Sequence, residues 1–175
     1  MSDTTPEPPP PGPAPKELIA SSALPVGWQI HEFVIEGLVG EGGFGIVYLA
    51  RDTQLQRTVA IKEYMPAQLA QRLSDHSVQV RSKRHADTFA LGLRSFVNEA
   101  RMLALFDHPS LVKVYRFWEG NGTAYMVMPY YQGPTLKSWL LEHRHAPSEE
   151  WLKRLLRPML DALELIHRDH CYHRD

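Results

Sequence analysis

The chain of 175 residues is 43% hydrophobic, 22% charged and 10% aromatic, which excludes a wholly disordered or fibrous polymer. Nineteen Lys and Arg against twenty Asp and Glu give a net charge of −1, which argues against a nucleic-acid binder relying on bulk positive charge. A single cysteine, Cys171, and nine histidines without companion cysteines fit a reduced, cytoplasmic protein lacking a zinc module, and no apolar run reaches the roughly 18 residues of a membrane span or forms a secretory signal core.

Seven of the 14 prolines fall between Pro6 and Pro15, so residues 1–25 read as a disordered proline-rich tail, solvated on its own and able to dock on an aromatic-lined groove of a partner. From Phe33 the texture changes to β-branched and aromatic residues. Phe33 to Val39, Ile46 to Ala50 and Thr58 to Lys62 predict three strands of an antiparallel meander. The polar stretch from Pro66 to about Asp87 carries no periodic signal. Leu93, Phe96, Ala100 and Leu103 repeat at helical spacing and predict an amphipathic helix that stops before His108-Pro109. Leu111 to Trp118 and Thr123 to Met128 predict two more strands, joined through the Asn121-Gly122 pair of a tight hairpin. Beyond Pro134 the pattern is helical, ending in a helix over about 149–169 whose Trp151, Leu152, Leu155, Leu156, Met159, Leu160, Leu163 and Ile166 form a wide apolar stripe. Pro158 inside it is expected to kink it.

Gly40-Glu41-Gly42-Gly43-Phe44-Gly45-Ile46-Val47 fits G-x-G-x-x-G-x-V. In a dinucleotide-binding fold the third glycine opens a helix, whereas a strand follows here. Two readings remain, a plain glycine-rich turn and a hairpin whose backbone N–H groups lie over nucleotide phosphates with Phe44 at its tip. Val59-Ala60-Ile61-Lys62 supplies the second piece. Strand alternation puts Ala60 and Lys62 on one face, the small side chain leaving room for a flat base and the ammonium reaching a phosphate.

Glu99 on the amphipathic helix and the closing His173-Arg174-Asp175 complete an order of glycine loop, V-A-I-K, helical Glu, hinge and H-R-D that resembles the protein-kinase family. The resemblance covers about residues 33–175, and its texture is similar to bacterial serine/threonine kinases of the eukaryotic-like type. It implies an α+β fold, with a kinase small lobe of five antiparallel strands and one helix over 26–131, hinge included, and the first helices of an incomplete large lobe over 132–175.

By that resemblance Gly40, Glu41, Gly42, Gly43, Phe44 and Gly45 shape a lid over the phosphates of ATP, with Val47 and Ala60 packing on the adenine. Lys62 contacts the α- and β-phosphates, held by Glu99. Met128 matches the position behind the adenine, while Pro129 offers a hinge carbonyl and Tyr131 a hinge N–H. Asp175 accepts the proton of the substrate hydroxyl. The stretch between Lys62 and Glu99 is long for the family, so 63 to about 87 reads as an insertion or an extended approach to the helix. His167, His170 and His173 recur every third residue, but no carboxylate or thiolate set completes a metal site.

The implied activity is ATP-dependent transfer to Ser or Thr hydroxyls of protein substrates. The family's Mg²⁺ ligands, the catalytic-loop Asn and the D-F-G Asp, fall after Asp175. The 175 residues therefore read as a truncated kinase, expected to be inactive and poorly soluble alone. The other classes left open are a nucleotide-binding pseudokinase or scaffold module and a non-functional product.

Overall fold

The computed structural model describes residues 22–143 and 146–168. Most of the proline-rich tail, Cys171 and the His173-Arg174-Asp175 motif lie outside the described residues.

The five expected strands are present and antiparallel throughout: β2 (Phe33–Glu41), β3 (Gly45–Asp52), β4 (Arg57–Tyr64), β7 (Arg116–Gly120) and β8 (Thr123–Pro129). A two-residue strand, β1 (Gln29–Ile30), extends one edge, so the sheet runs β1-β2-β3-β4-β8-β7. Tight turns explain the meander. At the β3–β4 turn the Asp52 carboxylate accepts the N–H groups of Gln54 at 3.1 Å and Leu55 at 2.9 Å. Asn121 and Gly122 both have positive φ (53° and 75°), the two-residue geometry whose twist suits a hairpin.

The unassigned stretch after Pro66 folds into a second, two-stranded sheet, β5 (Ala70–Arg72) with β6 (Val78–Val80), followed by a short 3-10 turn. The expected strand from Leu111 begins only at Arg116. Continuing the register beyond Arg116↔Val127 would set Val114 against Pro129, which has no N–H to donate to a ladder. The helix expected from Leu93 starts earlier, as α1 (Ala86–Leu105), with Asp87 in its first turn at the positive end of the dipole.

The registers Val47↔Lys62, Leu49↔Ala60 and Ala60↔Met128 place Val47, Leu49, Ala60, Lys62 and Met128 on one face of the sheet. This is the face on which Tyr64 meets α1, through Phe89 and Phe96. The opposite face buries Ile46, Tyr48, Ala50, Val59, Ile61, Tyr125 and Val127, beneath Leu24 and the β5–β6 hairpin. Glu63 and Arg72 form a fully buried ion pair there at 2.5 Å. Arg72 also donates to Ser22 O and His76 O, and Tyr48 donates to Glu63 at 2.6 Å. The inserted hairpin and the start of the described chain are thereby fixed to the back of the strand that bears Lys62.

After β8 come α2 (Leu136–His143) and α3 (Glu149–Arg168), whose Trp139 and Trp151 stack at 4.9 Å. Ser148 caps α3 by accepting the Trp151 N–H, and Pro158 does not end the helix. No described helix is long and apolar enough to cross a membrane.

Candidate active site

The glycine loop is the β2–β3 hairpin itself. Glu41 pairs with Ile46, Gly42 N–H donates to Gly45 O at 2.9 Å, and Phe44 stands at the tip 84% exposed. Its glycines differ in what demands them. A Cβ on Gly45 would collide with Glu63 O and lie 3.5 Å from the Glu63 carbonyl carbon, so β3 crosses β4 closely only because that side chain is missing. At Gly40 and Gly43 a Cβ would meet nothing within 4 Å. No protein packing demands glycine at those two positions, and their bare backbone borders open space, the arrangement that lets N–H groups approach a bulky anion.

Lys62 lies on β4 directly opposite Val47, and its ammonium reaches across to α1, 3.0 Å from Glu99 Oε1 and 5.4 Å from the centre of the Phe96 ring. Phe96 and Glu99 are three residues apart on α1 and so share a helix face. The paired side chains are 34% and 44% exposed. A pair this open to water contributes at most about 1 kcal/mol to stability, which points to orientation of the ammonium as its use.

Gly43, Phe44, Lys62 and Glu99 line one cleft of about 600 Å³. The cleft lies on the α1 side of the lysine, and Val47, Ala60 and Met128 share the sheet face without lining it. Pro129 and Tyr131 instead border a separate cleft of about 370 Å³ beside Asp107, His108 and Lys113, with Tyr131 68% exposed. Among the described residues no group of three His, Cys, Asp or Glu is placed to hold a metal ion. Asp175, His170 and His173 lie outside the described residues.

Several residues of the main cleft have no counterpart in the motif reading, Tyr64 and Gly92 among them. The two abut at its wall, from β4 and α1. The available signal was a glycine in the interior of an otherwise regular helical pattern, which costs helix stability and so asks for a reason.

The protein kinase domain family model matches residues 33–175. A probable serine/threonine-protein kinase of Streptomyces coelicolor is 34% identical over 142 residues, 79% of this chain and 18% of the relative. The serine/threonine-protein kinase PrkC of Bacillus subtilis is 29% identical over 138 residues, again 79% of this chain and 18% of the relative. The chain thus spans about a fifth of the length of these curated relatives. A solved structure titled "PpkA-294 apo form" is 51% identical and superposes with a TM-score of 0.82 over 89% of this chain and 55% of that one. The kinase domain of Mycobacterium tuberculosis PknI, at 22% identity and a TM-score of 0.65, shares the fold. Because the family match runs through the meander, the helix and the glycine hairpin rather than one motif, this chain belongs to the protein kinase family, with bacterial serine/threonine kinases among its relatives.

Proposed function

We propose that residues 26–131 bind ATP as a kinase small lobe and hinge, that residues 132–175 begin the helical lobe, and that the natural protein transfers phosphate to serine and threonine hydroxyls of proteins. The observation that carries this reading is the Lys62–Glu99 pair at 3.0 Å beside a glycine hairpin whose Gly40 and Gly43 border open space.

Glu99 holds the Lys62 ammonium toward the cleft, and Lys62 in turn binds the α- and β-phosphates. The N–H groups between Glu41 and Gly45 cover the phosphates and shield them from water. Val47 and Ala60 pack on the adenine from the sheet, Met128 lies behind it, and the Pro129 carbonyl and Tyr131 N–H read its edge. ATP, with Mg²⁺ on its phosphates, supplies the phosphoryl group. Asp175 accepts the proton of the substrate hydroxyl and orients it for in-line attack. Charge stabilisation by fixed groups supplies most of the rate in this chemistry, so losing one is expensive.

The test is transfer of labelled phosphate from ATP to a protein substrate by the natural protein. Lys62→Met is expected to lower turnover about a hundredfold or more while the protein stays folded. Near-normal transfer by Lys62→Met would refute the assignment.

A further inference from the structure

Gly92 sits in the interior of α1, where glycine is unfavourable relative to alanine, and its backbone is ordinary helix. The reason for it lies on the neighbouring strand. A Cβ at Gly92 would come within 2.9 Å of Tyr64 Cζ and 3.3 Å of Cε2, and closer still to the hydroxyl. Tyr64 borders the cleft on one side and is held on the others. It is 5% exposed, its ring centre lies 5.2 Å from that of Phe89 and 5.9 Å from that of Phe96, and its hydroxyl donates to Phe89 O at 3.3 Å. The Thr123 hydroxyl donates to the Tyr64 carbonyl and holds the backbone as well.

Two spacings then coincide. Tyr64 is two residues beyond Lys62 and therefore on the same face of β4. Gly92 is seven residues before Glu99, two helical turns along the same stripe of α1. The Gly92–Tyr64 contact and the Lys62–Glu99 pair are successive fastenings of one strand–helix seam. The half-exposed ion pair is too weak to fix where the helix lies. The Tyr64 ring is buried against Phe89 and Phe96 and resists displacement more than the ion pair does.

We propose that Gly92 and Tyr64 are positioning residues: the close approach permitted at Gly92 sets the distance between α1 and β4 at which Glu99 can hold Lys62. The inference rests on the reading of Lys62 and Glu99 given above.

The test reads Lys62 directly and needs no nucleotide, so its outcome is separate from that of the transfer assay. The chain is treated with limiting acetic anhydride, and acetylation of Lys62 is measured by peptide mass spectrometry against the exposed Lys137. Circular dichroism and thermal melts establish that each variant is folded. Glu99→Gln releases the amine and raises its labelling severalfold. Gly92→Ala raises it to the same level, because the added methyl forces the helix off the strand. In the Tyr64→Leu background, where the obstructing ring end is gone, the same substitution changes labelling by less than about twofold, the signature of two residues in contact. Should Gly92→Ala fail to fold, Tyr64→Trp crowds the same seam from the strand side and is expected to raise labelling likewise. In the natural protein, Gly92→Ala lowers kcat about tenfold or more with little change in KM for ATP, since a misplacement of about 1 Å at a reacting centre costs that much or more. Wild-type labelling of Lys62 in folded Gly92→Ala, or an equal rise in both backgrounds, overturns the proposal.

Discussion

Lys62 and Glu63 are neighbours in sequence and opposites in environment, because a strand turns consecutive side chains to opposite faces. Lys62 reaches over the cleft half in water, while Glu63 is fully buried against Arg72. Burial, reinforced by the Glu63 carboxylate, pushes the Tyr48 and Tyr125 hydroxyls above the ordinary tyrosine range. Removing Arg72 strands a carboxylate in the interior. Arg72→Met is expected to cost about 3–5 kcal/mol in urea denaturation, much of it recovered when Glu63→Met is added, because an apolar pair of similar volume has no unpaired charge to bury. A loss below about 1 kcal/mol in the single variant would mean the pair behaves like a surface one. Asp52 sets a pH dependence. The Leu55 N–H, then, against the opposing effect of burial, the Arg57 guanidinium and the Gln54 N–H, hold its carboxyl below the ordinary aspartate value of 3.8. The stability it contributes is complete above that value and is lost as the pH falls through the lower folded one. Asp52→Asn should therefore flatten the fall in urea midpoint between pH 5 and pH 2, and a slope equal to the wild type's would refute the role.

At the scale of elements, those closed by local chemistry were legible in the sequence. The alternation of Ile46, Tyr48 and Ala50, the Asn121-Gly122 turn and the helical stripes all describe a residue's own surroundings, and each appears as the expected kind of element, with α1 starting earlier than its stripe. Lys62 and Glu99 were legible through their motifs, and the fold brings them to 3.0 Å. The β5–β6 hairpin was not legible, because Arg72 looks in sequence like one more solvated charge and is buried through Glu63, Tyr48, Ser22 and His76, none of them on its own strand. The strand expected from Leu111 has the right composition and lacks a partner able to pair with it opposite Pro129. One contact ties the inserted hairpin to the main sheet at a glycine: Val78 N–H donates to Asn121 O at 2.7 Å, and a Cβ on Gly122 would strike Val78 O. Gly122→Ala combines that collision with a positive φ of 75° and is expected to destabilise by about 1–3 kcal/mol. Hydrogen exchange should localise the loss to both hairpins together, and loss confined to β7–β8 would show that the tie carries no energy.

At the scale of the whole molecule, α3 leaves a row of apolar side chains in water. Leu152, Leu156, Met159 and Leu160 are 39%, 47%, 48% and 60% exposed and recur along one helical stripe. An apolar row of this length favours association. Light scattering of the 175-residue chain is expected to show mass rising with concentration, and Leu156→Gln with Leu160→Gln to return it toward a monomer without altering acetylation of Lys62. A wild-type chain that stays monomeric at high concentration would contradict this. The strand order has a different consequence, one that falls on the chain as it is made. β4 has β3 on one side, joined by a short turn, and on the other side β8, which is synthesised only after the inserted hairpin and α1. Until Thr123–Pro129 has left the ribosome, the edge of the strand carrying Lys62 has no hydrogen-bonding partner. The nascent chain therefore carries an open β-edge until that point, closes it by a non-local and intrinsically slow pairing, and is prone to edge-to-edge association during that interval.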